Sequence, residues 1–328
     1  MKFPQRIGRS LLPGLLSLCA TAFSLPAHAD YPDKPITFVS AYVPGGTNDF
    51  LTRFIAQGVG EQLKANAVVE NKPGANGIVG TSMVARSAGD GYTLLMGNSA
   101  SHGINPTLYP HLQYDALKDF RAVGMVASVP IVVVANKDLP ADSLKELVAY
   151  GKSHPGRLGF GSSGIGGAGH LAGEAFILAS GIDMVHVPYK GDAPAVTDTM
   201  SGQVPVSFVA LSSATPQLAS GRIKILAVAS DKRLPMLPDV PTMDESGYPN
   251  MEFAQWFAIV APSATPQPVI DSLNFAIKSV LESPRARKSF ATQGATPVYA
   301  TAAQTQSFIE SEIDRFGAII RKLNLQAD

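Results

Sequence analysis

Short apolar, β-branched runs alternate along the chain with segments whose apolar residues recur at helical spacing. That alternation predicts strands leading into helices, an α/β fold. Residues 36–43 form the first such run and predict a buried strand. Pro44, Gly45 and Gly46 end it. Thr47, Asn48 and Asp49 each carry an oxygen that can cap a helix, and Phe50, Phe54, Ile55 and Leu63 then recur near helical spacing. The stretch is strand, glycine turn, helix.

The same grammar continues. Further strands are predicted at 68–71, 92–97, 121–136, 158–162, 184–189, 204–210, 223–230 and 253–261. Helices are predicted at 78–86, 143–154 and 193–201, and from Pro266 behind a Thr265 cap to about residue 282. Thr301 and Gln304 form a capping box for a last helix with Phe308, Ile309, Ile313, Phe316, Ile320 and Leu323 on one stripe. The region 121–136 is interrupted at Ser128 and Pro130, and is long enough to leave one domain and enter another. Residues 231–250 are Pro-rich and read as a loop or linker. Together these predict a discontinuous first domain, residues 30–128 with 253–328, and a second at 129–252.

Glycine turns at helix starts have a chemistry of their own. The first N–H groups of the helix lack partners and carry the positive end of its dipole. Gly45 and Gly46 let backbone approach a ligand closely, so the turn suits a carboxylate or phosphate. Most such turns in α/β proteins bind nothing, and this one is not a P-loop, since no Gly-Lys-Ser/Thr follows. A second turn occupies residues 161–169, with Ser162 and Ser163 as hydroxyl donors. Gly164, Gly166 and Gly169 there spell the dinucleotide fingerprint. Asp183 precedes the next strand and Asp192 lies past its end, so the acid that fingerprint needs is misplaced. If the halves face each other, the two turns give one cleft two anion-binding corners.

Other polar residues are weighed against ordinary roles. Asn98 and Ser99 end a strand and are candidates for the cleft. His170 and Glu174 share a helix face, where a metal pair competes with a cap or packing role, and no third ligand is evident. His186 lies in an apolar strand, which favours a satisfied core histidine, and His102 lies in a loop after Asn98 and Ser99. Tyr42 and Trp256 read as apolar walls or core. Asp192 reads as a partner for a ligand ammonium or hydroxyl, or as a cap for the helix at Ala193. No G-x-S-x-G, S-x-x-K or H-E-x-x-H is present. An exported α/β hydrolase acting on a carboxylate is the competing function.

Composition sets the compartment. Lys2, Arg6 and Arg9 precede an apolar run at 11–23, and Ala27-His28-Ala29 fits a signal-peptidase site, so the mature chain is expected to start at Asp30. Pro13 and Gly14 interrupt the run, which is too short for a membrane span. Leu18 before Cys19 is too large for a lipobox. Cys19 is the only cysteine and leaves with the signal, so disulfides and thiol chemistry are excluded. Losing three of 26 basic residues leaves 23 against 26 acidic, a formal −3, which gives no footprint for nucleic acid.

The chain resembles the Bug-type extracytoplasmic solute receptors, the periplasmic binding component of tripartite tricarboxylate transporters. The resemblance spans the mature chain. It is carried by YPDKPI at 31–36, PGGTND at 44–49, VVENKPGANGIVG at 68–80 and DGYTLL at 90–95. GSSGIGGAGHLAGEAF at 161–176, HVPYKGDAPAVTD at 186–198 and LPDVPTMDESGYP at 237–249 complete it. It implies a type II-like periplasmic binding protein, two α/β domains joined by two crossings and closing like a Venus flytrap. It further implies a periplasmic monomer, without cofactor, metal or catalytic residues, binding a small organic carboxylate. The partners implied are membrane subunits of a tripartite transporter, or a sensor domain.

Residue by residue, the first family loop falls on Gly45, Gly46, Thr47, Asn48 and Asp49, with Tyr42 where the family often has Phe. The second falls on Ser162, Ser163, Gly164, Gly166, Gly167 and His170. In the family the two loops pinch a ligand carboxylate, partly through waters. Gly167 departs from the pattern, which often has Ser or Thr there and would supply a further hydroxyl.

Overall fold

The computed structural model describes Met1 and residues 31–327. Apart from Met1, the expected leader lies outside the described residues. In chain order the elements are β1 (Ile36–Ser40), α1 (Thr47–Leu63), β2 (Ala67–Asn71), α2 (Ile78–Ala85), β3 (Thr93–Asn98), α3 (Asn105–Leu108), β4 (Phe120–Asn136), α4 (Leu144–Ser153), β5 (Gly159–Ser162) and α5 (Ala168–Ser180). They continue with β6 (Val185–Pro188), α6 (Asp192–Ser201), β7 (Val206–Ala210), α7 (Leu211–Leu218), β8 (Ile223–Val228), β9 (Ala254–Pro262), α8 (Gln267–Leu281), α9 (Pro284–Ala291), β10 (Thr296–Pro297) and α10 (Ala302–Lys322). The short α3, α7 and α9 are not foreseen by periodicity. In α7 the sequence LSSATPQL is largely polar and holds Pro216.

The main sheet runs β2-β1-β3-β9-β4-β7-β5-β6, with β8 and β10 also pairing to β4. β1 pairs in parallel with both β2 and β3, and β5 pairs in parallel with both β6 and β7. Between these parallel triplets stand β9 and β4, antiparallel to each other. β4 is the backbone of the molecule. Its residues 120–130 pair with β9, and its residues 131–136 pair with β7 on one side and β8 on the other.

Contrary to the sequence reading, Ser128 and Pro130 do not break this strand. Pro130 sits where β4 passes from its β9 partner to β7 and β8, so its missing N–H falls at the handover. The next residue donates its N–H to the Phe253 carbonyl at 2.9 Å, and Phe253 donates to Ala229. The chain thus passes between the two triplets along β4 and again near Phe253.

Continuous apolar runs, buried on both faces of the parallel strands, place Phe38, Val39, Leu94 and Leu95 in the core of the first triplet, and Phe160, Phe208 and Val209 in that of the second. Trp256 is core rather than cleft wall, only 2% exposed. Its Nε1–H donates to Glu312 Oε2 at 2.8 Å, and Arg315 holds the same carboxylate. This buried contact fastens α10 across the central strands, in agreement with the apolar stripe and with the Thr301–Gln304 capping box, which forms. Trp256→Phe removes one hydrogen bond to a buried charged group, so urea denaturation should show a loss of about 1.5–3 kcal/mol.

Candidate functional site

In a parallel sheet the loops leaving two neighbouring strands diverge where the strand order reverses, and a crevice opens at their carboxyl ends. Each triplet has one such point. In the first it lies between β1 and β3, where the turn 44–46 meets Asn98 and Ser99. In the second it lies between β5 and β7, where the turn 163–167 meets Leu211 and Ser212. Ser212 therefore stands just past the end of β7, much as Ser99 stands just past β3. Sequence reasoning missed it, although a serine pair, Ser212-Ser213, follows the strand 204–210 closely.

The first turn is shaped by side chains and left open in its backbone. Gly46, and none of Thr47, Asn48 or Asp49, is the N-cap of α1, and no side chain caps it. Asn48 is turned inward, accepting from Ser40 Oγ at 2.8 Å and donating to the Met96 carbonyl at 3.2 Å. That ties the turn to β1 and β3. Asp49 accepts the Gly45 N–H at 3.0 Å and bonds Arg53 and Asn71. Burial opposes its charge, but these bonds outweigh burial and hold its pKa below the usual carboxylate range. With Asn48 and Asp49 so engaged, the first N–H groups of α1 face outward. Space is open where a Cβ on Gly45 or Gly46 would stand.

Tyr42 and Asn98 form the floor beside this turn. The Tyr42 hydroxyl bonds Asn98 Oδ1 at 3.3 Å and the Asn76 carbonyl at 3.4 Å. Burial pushes its pKa up to about 12, so it stays a neutral hydroxyl. Asn98 also accepts the Ser101 N–H and receives the Ser101 hydroxyl, and Ser99 is buried behind it. His102 is fully buried against Phe120, and burial drops its pKa to about 3. It is a core histidine.

In the second turn Gly167 is the N-cap of α5, again without a side-chain cap. Gly164 and Gly166 take positive φ, 128° and 75°, which the turn requires. Ser162 is fully buried: its Oγ takes the Gly164 N–H at 3.2 Å and meets His186 Nε2 at 2.7 Å. His170 Nδ1 accepts the Gly166 N–H at 3.2 Å, which puts its proton on Nε2, 3.6 Å from Glu174. His170 stacks on His186 at 4.0 Å, and His186 stacks on Phe160. Burial, followed by the neighbouring His170, lowers the His186 pKa to about 4. The histidines brace the turn from behind. Ser163 Oγ lies 2.6 Å from where a Cβ on residue 167 would stand. A side chain at 167 would displace the Ser163 hydroxyl from its present position.

Asp192 departs from the cap reading. The N-cap of α6 is Gly191, and Asp192 caps no N–H of its own helix. Its Oδ2 instead accepts the Ala210 N–H at 3.3 Å and the Gln255 side chain at 3.1 Å. Oδ1 is buried without a partner. Burial raises the pKa to about 6, against smaller opposing effects of Ala210, Gln255 and Ser163. Gln255, at the start of β9, is a second residue that no sequence pattern marks.

The two switch points touch. The Thr47 hydroxyl donates to Ser212 Oγ at 3.2 Å. A Cβ on Gly166 would stand 2.2 Å from Leu108 and 3.7 Å from Asn76. Tyr42, Gly45, Gly46, Thr47 and Asn98 on one side, and Ser163, Gly164, Gly166, Gly167 and Asp192 on the other, therefore gather around one seam. Asn48, Asp49, Ser162 and His170 stand behind it with their polar atoms engaged. Among the described residues no group of three His, Cys, Asp or Glu is placed to hold a metal ion.

Two α/β triplets with facing switch points, crossed by long central strands, define a two-domain periplasmic solute-binding receptor. The chain belongs to the tripartite tricarboxylate transporter receptor family, TctC, whose model matches residues 51–325. It is 38% identical over 307 residues to Protein BugT of Bordetella pertussis, covering 93% of this chain and 94% of that protein. Among solved structures it is similar to R. palustris Rpa4515 with adipate, at 34% identity and a TM-score of 0.84, covering 90% of this chain and 99% of that one. It is also similar to MatC from Rhodopseudomonas palustris with bound malate, at 29% identity and a TM-score of 0.79, covering 88% and 100%.

The buried acid and base give opposite pH trends. Asp192 holds its proton more tightly folded than unfolded, so its contribution to stability falls as pH rises from 3.8 through about 6. His186 holds its proton less tightly, so its contribution is full above 6.5 and is lost as pH falls towards about 4. Asp192→Asn removes only the first trend. Urea titrations should show the variant gaining on the ligand-free parent by on the order of 2 kcal/mol between pH 4 and pH 7. A constant difference across that range would contradict the placement of this carboxylate.

Proposed function

We propose that the seam between the switch points binds a small organic carboxylate for delivery to a transporter or sensor in the membrane. One observation carries this reading: α1, α5 and α7 open at the switch points, with α6 beside them, all without side-chain caps. Of the other helices, α4, α9 and α10 have their N-termini capped by Ser143, Ser283 and Thr301, while α2, α3 and α8 also lack a side-chain cap but do not share this convergence. Free amides concentrated at one place suit an anion. Rpa4515 with adipate and MatC with malate support the same chemistry.

The domains of this reading are residues 30–128 with 253–328, and 129–252. The change of partners along β4 between Pro130 and Ile131 supports that division. Tyr42, Gly45, Gly46, Thr47, Asn98, Ser163, Gly164, Gly166, Gly167 and Asp192 line the ligand, joined by Ser212. Asn48, Asp49, Ser99, Ser162 and His170 hold the loops in shape. The protein works as a monomer.

Binding without turnover is part of the proposal. Ser162 and His186 sit at the distance of a nucleophile and its base. The Ser162 hydroxyl is, however, fully buried behind the turn and already receives the Gly164 N–H. No helix among the described residues is long and apolar enough to cross a membrane. We place the mature chain in the periplasm, cleaved after Ala29. Intact mass of secreted protein should correspond to a start at Asp30, and a mass retaining Cys19 would overturn the cleavage site.

Three variants test how the anion is held. Gly46→Val suits the backbone, at φ −83° and ψ 172°, and its Cβ meets nothing within 4 Å, so the fold should tolerate it. It should abolish binding in calorimetry against a panel of mono- and dicarboxylates, adipate and malate included, by filling the space the carboxylate enters. Thr47→Val should weaken binding by about 1 kcal/mol through one lost donor. Lys190→Met should change little, since Lys190 is exposed. Loss of binding in the Lys190 variant alone would replace this account with a side-chain ion pair.

A further inference from the structure

The two turns of the seam are braced by acceptors of different kinds. In the first, the Gly45 N–H goes to the Asp49 carboxylate, whose pKa lies below the usual range. In the second, the Gly166 N–H goes to His170 Nδ1 at 3.2 Å, and among the described residues it has no other acceptor. A carboxylate accepts throughout the neutral and mildly acidic range. An imidazole nitrogen accepts only while it is unprotonated, and histidine is the side chain that titrates in that range.

The surroundings of His170 decide where a proton goes and what it breaks. Its ring stacks on His186 with centroids 4.0 Å apart, so a charge on one ring opposes a charge on the other. Glu174 Oε1 lies 3.6 Å from His170 Nε2 and draws the proton to that ring. A proton on His186 would disturb less. Its Nε2 could donate to Ser162 Oγ, and the Ser162 hydroxyl has the Gly164 carbonyl at 3.3 Å as a second acceptor. Few other groups face the pair. β5, β6 and β7, on which α5 packs, hold no Lys, Arg, Asp or Glu. α10 also packs on α5, and among the described residues none of its charged side chains pairs with either ring. His170 and Glu174 are the charged groups that act on His186.

Resting on the carboxylate reading, we propose that His170 links ligand binding to a proton: the seam holds its acid while this imidazole is neutral and discharges it when Nδ1 is protonated. A protonated Nδ1 sets donor against donor at the Gly166 N–H. The turn at 163–167 must then move, and the uncapped N–H groups at the start of α5 lose their aim. The charge so formed lies behind the turn beside Glu174, which offsets its attraction for the ligand. His170 is thus a positioning residue whose protonation state sets affinity.

The test compares the whole mature protein with His170→Asn, whose Oδ1 can take the place of Nδ1 and accept the Gly166 N–H without titrating. Calorimetry with adipate, malate and the rest of the carboxylate panel runs from pH 8 to pH 5.5. Both proteins carry Asp192, which titrates at about 6, and both meet the same acid, so the ratio of their affinities isolates His170. The parent should lose affinity relative to the Asn variant by about threefold or more as pH falls. Binding at pH 6, measured in two buffers, should release more protons from the parent than from the variant. His170→Leu should bind weakly at every pH, and His186→Phe, which keeps the stack, should retain the pH dependence.

A second readout needs neither a ligand nor a variant that folds poorly. In amide NMR spectra of the ligand-free parent, the Gly166 N–H should move together with the His170 ring as pH falls, by losing its hydrogen bond. An affinity ratio that stays constant or reverses with acid would overturn the proposal, as would a Gly166 amide that ignores the ring. So would a pH dependence that vanishes in the His186 variant and persists in His170→Asn. In each case the carboxylate reading stands, provided Gly46→Val still abolishes binding. If no acid of the panel binds at any pH, the carboxylate reading itself falls, and this proposal with it.

Discussion

A helix that starts where a parallel strand ends exposes N–H groups that nothing in the helix can satisfy. The architecture follows from collecting these groups in one place. Each triplet turns its strand order about a central strand, β1 or β5, so each has a single point where loops diverge. β4 and β9 stand between the triplets and bring the two points together. On the proposed reading, a carboxylate there meets amides from both sides. Each helix terminus contributes on the order of 0.3–2 kcal/mol, and each bond to a charged group about 1.5–3 kcal/mol. Several together reach the roughly 8 kcal/mol of micromolar affinity after association costs.

The central strands must then do two things. They must be rigid enough to hold the switch points opposite each other, and they must allow the halves to be separate bodies. The pairing of β4 shows how one strand does both. It is continuous from Phe120 to Asn136, yet its partners change completely between Pro130 and Ile131. A proline is tolerated there because no ladder bond is asked of its nitrogen. Trp256, Glu312 and Arg315 fasten α10 to the same region, so the crossing is buttressed on one face.

Much of this was legible in the sequence because it depends on local patterns. Apolar runs and glycine turns gave the strands and the helix starts, and Thr301 with Gln304 gave a cap that forms as expected. What failed was local in another sense. Thr47, Asn48 and Asp49 have the chemistry of caps, but tertiary partners claim Asn48 and Asp49, so Gly46 takes the cap position bare. Asp192 reads as a cap for the same reason and is drawn away by Ala210 and Gln255. Ser212 and Gln255 were invisible because only sheet order places them at the seam. Periodicity carries no information about which strand lies beside which.

The division of labour among polar residues has a physical reason. A turn of glycines has no shape of its own, since glycine gives the chain its widest freedom. Something must fix it, and charged or aromatic side chains do so from behind. Asp49 with Arg53 and Asn71 fixes the Gly45 loop, and His170 with His186 fixes the loop through Gly166 and Ser162. Those groups act on the turns, so the surface presented to the seam is backbone and hydroxyl. Such a surface recognises a carboxylate by the direction of its hydrogen bonds more than by charge. It is consequently indifferent to what lies beyond the carboxylate, and selection among acids has to come from side chains outside the turns.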